Sequence, residues 1–171
     1  ENGQRKGVST YRDGLLEGVC RSWFNDGSLQ SEQSYRKGEP VGDHREYYQA
    51  YDGASARLVR TFHYEDGELH GEQATYYPDG APQSKVNYDH GRLHGLKAAW
   101  DPQGEVLVEA HYDNGKATGR SVERKDNGDL AISSFKNNRL HGLCQVYYGE
   151  NEVFGKVKES ECTYVDGKME G

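Results

Sequence analysis

The chain has 171 residues and a net charge of −7, and Leu, Val, Ile and Phe together supply only 28 of them. That balance excludes a conventional aliphatic core and, by composition alone, falls among disordered chains. The acidity argues against nucleic acid and anionic lipid as ligands, since both attract basic surfaces. The longest aliphatic run, Val106-Leu107-Val108, is far too short for a membrane-spanning helix.

The 22 Gly and 13 Tyr correct the compositional reading, because they recur at regular intervals. Taken in chain order, an aromatic marker stands at Tyr11, Tyr35, Tyr64, Tyr88, Tyr112, Phe135 and Tyr164, with steps of 24, 29, 24, 24, 23 and 29 residues. Gly follows the marker by three residues, with Asn138 the one substitute, and by seven at every repeat. This spacing predicts one repeat domain over 1–171, with six full repeats and a seventh that begins at Tyr164. The start is irregular, because Gly7 to Tyr11 leaves no room for a complete hairpin.

Within each repeat the second Gly opens a strand that ends in an aromatic pair or its remnant. These pairs are Trp23-Phe24, Tyr47-Tyr48, Tyr76-Tyr77, Trp100-Asp101, Arg124-Lys125 and Tyr147-Tyr148. A turn signal follows in most repeats, as in Asn25-Asp26-Gly27, Pro78-Asp79-Gly80 and Asp126-Asn127-Gly128, where residues that tolerate positive φ permit a tight reversal. A returning strand then reaches the next marker. Helix is disfavoured by a Gly about every eight residues and by the lack of any 3.6-residue apolar period. The expected fold is all-β: an elongated, twisted antiparallel sheet of tandem β-hairpins, advancing roughly 10 Å per repeat and spanning roughly 60 Å over six. Stacked rings, with Leu16, Leu69, Leu93 and Leu140 beside the turns, are expected to replace the missing core.

The pattern Y-x-x-G-x-L-x-G, four or five residues, an aromatic pair, x-x-G and a second strand resembles the MORN-variant repeat, of the bacterial type found in YwqK-like antitoxin and immunity proteins. The resemblance covers essentially the whole chain. Departures from it are Asn138 for Gly, Ala117 for Leu, the lost rings at 124–125, and two five-residue insertions near 49–56 and 149–155.

Three Leu-His-Gly stretches, at 69–71, 93–95 and 140–142, invite a metal reading. Equivalent positions in adjacent repeats lie about 10 Å apart, too far for two nitrogens to share one zinc at roughly 2 Å each. By sequence proximity His90 falls with His94 and His63 with His70, neither with carboxylate or Cys company at ligand spacing. No metal site and no cofactor are therefore expected. Catalysis is not expected either, since the chain has no G-x-S-x-G elbow, no phosphate loop, no H-E-x-x-H and no Cys/His signature.

Superposing repeats sets Cys144 opposite Cys162 and leaves Cys20 opposite Gln33. The first pair reads either as a disulfide, which favours an oxidising compartment, or as two reduced thiols in a cytosolic hairpin. A start at Glu1 and an end at Gly171 in mid-motif are expected of a processed or trimmed form.

An acidic repeat sheet suits a basic protein partner. The resemblance implies that the partner is a toxin or effector, a phospholipase or other type VI effector being one candidate by analogy, and that the chain neutralises it by occluding its active site in the periplasm or envelope. The expected anchors are the second rings of the pairs, Phe24, Tyr48, Tyr77 and Tyr148, followed by the insertion residues Tyr51, Asp52, Glu150, Asn151, Glu152 and Phe154. The alternatives are an envelope-associated MORN-type scaffold and a substrate-docking repeat domain of a larger protein.

Overall fold

A computed structural model of the chain describes residues 6–50, 56–148 and 157–170. Among these residues every regular element is a β-strand, and the strands pair antiparallel as tandem hairpins. They gather into two compact units, one of Glu1–Gln83 with Tyr88–Gly91 and one of Ser84–Asn87 with Arg92–Gly171.

Two kinds of turn build each repeat. The marker turn is a two-residue reversal with both central residues at positive φ, as at Asp66 (47°) and Gly67 (82°). That is the hairpin geometry whose twist matches its strands. The other turn closes three residues in the four repeats without an insertion, as in Phe24–Ser28, where the Phe24 amide donates to the Ser28 carbonyl at 2.9 Å and Gly27 donates back to the Phe24 carbonyl at 2.9 Å. A bulge follows it, so Trp23 pairs with Leu29 while Ser22 pairs with Ser31. Beyond the bulge the expected register holds: Cys20 faces Gln33 and Cys144 faces Cys162.

In the first unit, strands Gly18–Trp23, Leu29–Arg36, Gly42–Tyr47, Leu58–Glu65 and Gly71–Tyr76 pair in chain order. The irregular start contributes a short strand, Gly7–Val8, that pairs with Gly18–Trp23, and a separate small hairpin of Tyr11–Arg12 with Leu15–Leu16. In the second unit, Arg92–Trp100, Val106–Asp113, Lys116–Arg124, Leu130–Lys136, Gly142–Tyr147, Lys158–Val165 and Lys168–Glu170 do the same.

Successive marker turns are tied by one recurring bond. The turn Gly amide donates to the carbonyl of the Leu one repeat earlier, Gly38 to Leu16, Gly91 to Leu69, Gly115 to Leu93 and Gly167 to Leu140, at 2.7–2.8 Å. Two departures from the repeat pattern meet at this contact. Asn138 donates its amide to the Ala117 carbonyl and accepts the Ala117 amide on its side-chain oxygen. A third departure, Arg124 in a ring position, is compensated by a 2.6 Å pair with Glu105.

The core differs from the expected wall of rings. The buried apolar residues are small, Cys20, Ala74, Ala98, Ala110 and Val122, and among the described residues no large side chain is fully buried. The marker rings are half-buried, apart from the exposed Tyr11. In the first unit they stack through an inserted histidine: His44 lies 5.4 Å from Tyr35 and 4.8 Å from Tyr64 between ring centroids. A sheet with two wet faces buries what small residues and ring flanks allow, and polar side chains fill the rest.

Two of those polar fillers hold the backbone where Gly bends the strand. His44 is 5% exposed, and its Nε2 lies 2.8 Å from the Ser34 carbonyl. Its equivalent one repeat later, Gln73, is 6% exposed; its carboxamide oxygen accepts from the His63 amide at 3.0 Å, and its nitrogen donates to the carbonyls of His63, His70 and Gly71. Such groups add hydrogen bonds to main-chain atoms at the bend, where the Ser34 and His63 carbonyls also accept from the Val41 and His70 amides.

Candidate functional site

The second rings of the pairs stand where the outgoing strand ends: the Phe24 and Tyr77 amides each close a three-residue turn, whereas the Tyr48 and Tyr148 amides donate to the Arg57 and Val157 carbonyls across the longer connections. Phe24, Tyr48 and Tyr77 belong to the first unit and are half-buried; Tyr148, in the second, is 50% exposed. In the first unit hydrogen bonds link the repeats that carry this row. The Tyr48 hydroxyl donates to the Tyr76 carbonyl at 2.9 Å, and the Gln49 amide donates to Asp26 at 3.0 Å, so each turn is fastened to a neighbouring one. Hydrogen bonds from Ser28, and a further one from Gln49, hold the Asp26 carboxyl below the usual range. Shallow grooves flank Phe24, lined on one side by Trp23, Asn25, Gln30 and Gln49. On the other side they are lined by Ser22, Gln33, Glu46 and Tyr47. The grooves thus frame ring surface with amides and hydroxyls, with Lys6 and Glu46 as charged members of the lining. Of the other expected anchors, Tyr51, Asp52, Glu150, Asn151, Glu152 and Phe154 lie outside the described residues.

On the first unit's opposite face the charges interleave. Arg21 pairs with Glu32 at 2.6 Å, Arg45 with Asp43 at 2.7 Å, and His63 with Asp43 at 2.7 Å. The hydrogen bond from His63, followed by the nearby Arg45, holds the Asp43 carboxyl below its usual pKa. Exposed pairs of this kind stabilise little individually.

Cys144 and Cys162 are register partners with free thiols, and Cys20 is buried opposite Gln33. The Tyr164 hydroxyl, hydrogen-bonded to the Cys162 thiol, is pushed above its ordinary pKa.

The Leu-His-Gly histidines each turn towards the carboxylate of a marker turn one repeat later. His70 lies 3.5 Å from Asp89, His94 3.5 Å from Asp113, and His141 3.5 Å from Asp166. Grouping by sequence proximity is corrected here: the structure sets His63 on Asp43 and His90 against His70, with ring centroids 4.9 Å apart. Carboxylates accompany these rings from within each repeat, and Asp89 also approaches His70 from the following one. Glu65 lies 3.5 Å from His70 Nε2, and Asp89 lies 2.6 Å from His90 Nδ1. That Asp89 bond, with the charge behind it, raises the His90 pKa. One signal was present in the sequence: His90 fills a turn position where the other repeats carry Asp13, Lys37, Asp66, Asn114, Asn137 and Asp166.

The MORN repeat variant family model matches residues 16–37 and 69–90, so the chain carries MORN-type repeats, matched over two of the segments just described. No curated protein matches the chain. A crystal structure of a protein of unknown function from Bacteroides fragilis is similar at 11% identity over 95% of each chain, with a TM-score of 0.19. At that score the likeness carries no weight for fold or function.

Proposed function

We propose that this chain is a non-catalytic, MORN-type docking module, and that the ring row of Phe24, Tyr48 and Tyr77 is where its protein partner sits. The observation that carries this reading is the row of half-buried second rings in the first unit, with hydrogen bonds between its repeats. Ring flanks held rigid and rimmed by amides match the makeup of interface anchors, which bury much area at little cost in side-chain freedom. The net charge of −7 favours a partner with a basic surface.

The test is a photo-crosslinking residue placed at 24 or 77, with capture from cells followed by reconstitution with the purified partner. The expected result is a single protein, bound at least tenfold more weakly by Phe24→Ala/Tyr77→Ala than by the parent. Equal affinity for parent and double variant contradicts the reading.

The narrower form of the proposal makes the partner a toxin that the chain neutralises in the periplasm or envelope. It rests on the repeat type, the acidity and the facing cysteines. It predicts that the captured protein arrests growth when expressed alone and not when expressed with this chain. A harmless partner leaves the docking module and removes the toxin.

A further inference from the structure

We propose that Glu65, His70 and His90 form a binding site for a divalent transition-metal ion of the zinc class, linking two successive marker turns of the first unit. One ligand atom from each of the three residues lies within 4.8 Å of the others. Ligands on one tetrahedral zinc sit roughly 3.3 Å from one another, given bonds of about 2.0–2.1 Å, so closure takes small rotamer adjustments, for which Glu65 and His90 are exposed and His70 half-buried.

The chemistry of each donor fits. The Asp89 carboxylate lies 2.6 Å from His90 Nδ1, which fixes the proton on that nitrogen and leaves Nε2 with its lone pair free. This is the carboxylate–histidine pairing that commonly orients a metal-binding imidazole and raises its basicity. In His70, Nε2 faces Glu65 at 3.5 Å, and Nδ1 lies 3.5 Å from the same Asp89. That Nδ1 is buried and makes no hydrogen bond. A proton bound there, with metal on Nε2, would let Asp89 support both rings after a small shift. Two imidazoles and one carboxylate leave a fourth position for water, and the donor set suits zinc, cobalt or nickel rather than the oxygen-only shell of magnesium or calcium.

The site is particular to this pair of repeats. His94 and His141 have their own aspartates, but the turns they face carry Asn114 and Asp166 where His90 stands, so neither meets a second imidazole there.

The experiment uses the full chain without an affinity tag, stripped by chelator and titrated with cobalt(II) near neutral pH, with zinc(II) as competitor. The expected result is a visible d–d absorption band that saturates at one cobalt per chain, disappears on zinc addition, and raises the melting temperature. His90→Asn should abolish the band without harming the fold, since Asn occupies the same turn position at 114 and 137. Glu65→Gln should weaken cobalt binding at least tenfold, and His94→Asn should leave it unchanged. Absence of a saturable band in the parent overturns the site. So does a band that survives His90→Asn, or one lost equally with His94→Asn. These readouts are independent of whether the ring row binds a protein.

Discussion

Gln73 shows how a single side chain substitutes for core in this fold. Its carboxamide bonds four main-chain atoms around the Gly71 bend, of which the His63 carbonyl also accepts from the His70 amide. Gln73→Ala should cost on the order of 1–3 kcal/mol, because the partners lose their bonds while the site stays shielded. Urea unfolding should show this as a lower midpoint at unchanged slope. Gln73→His should recover part of the loss, since His44 performs the same service one repeat earlier. An alanine variant that unfolds with the parent would show that water reaches these atoms.

Asp43 carries the residue-scale pH dependence. Its folded-state pKa lies below the ordinary 3.8, chiefly through the bond from His63. A lowered pKa contributes stability above the unfolded value and loses it as pH falls through the folded value. Acidification below about pH 4 should therefore destabilise the parent more steeply than Asp43→Asn. Urea midpoints measured across that acid range check it, and parallel curves would remove Asp43 from the account.

At the scale of the strand and turn, Asn138 and Ala117 look like two separate flaws in the repeat pattern, yet they form one contact. Gly is the usual residue at position 138, and Gly would accept its φ of 67° without strain. Asn138→Gly should nevertheless destabilise by about 0.5–1.5 kcal/mol, through the lost bond to Ala117 and a freer unfolded chain. Thermal melts of the variant check the sign, and an unchanged or higher melting temperature would contradict it.

The facing thiols give a second expectation at this scale. Antiparallel partners have Cα atoms about 4.5–5.5 Å apart, within the span of a disulfide. Mild oxidation should link Cys144 to Cys162 and leave Cys20 alkylatable, as peptide mapping would show. A bridge that recruits Cys20 would mean that the register exchanges in solution.

For the molecule as a whole, the period was the most informative property of the sequence. A repeat of 23 to 29 residues with two Gly and a marker ring determines strand direction, turn class and register together. The same period sets Cys144 opposite Cys162. What the period could not convey was contact between side chains of different repeats. His70 meets His90 across a step of 20 residues, and only the rise and twist of the hairpins decide which rings touch. The core differs from the expectation for a related reason. Ring count suggested stacked aromatics, whereas the sheet keeps both faces near water and seats His44 and Gln73 at its bends. The ring row itself was legible as residue types, but its hydrogen bonds through Tyr48 and Gln49 were not, because those bonds join separate repeats.

The docking reading is tested most directly by the affinity of the crosslinked partner, once purified, for three forms of the full chain: the parent, Phe24→Ala/Tyr77→Ala and Lys125→Ala. Lys125 holds the same turn-mouth position as Phe24 but carries no ring. Calorimetry or surface-immobilised binding should show at least a tenfold loss for the double ring variant and none for Lys125→Ala. Equal binding by all three forms would contradict the docking edge, whatever the partner proves to be.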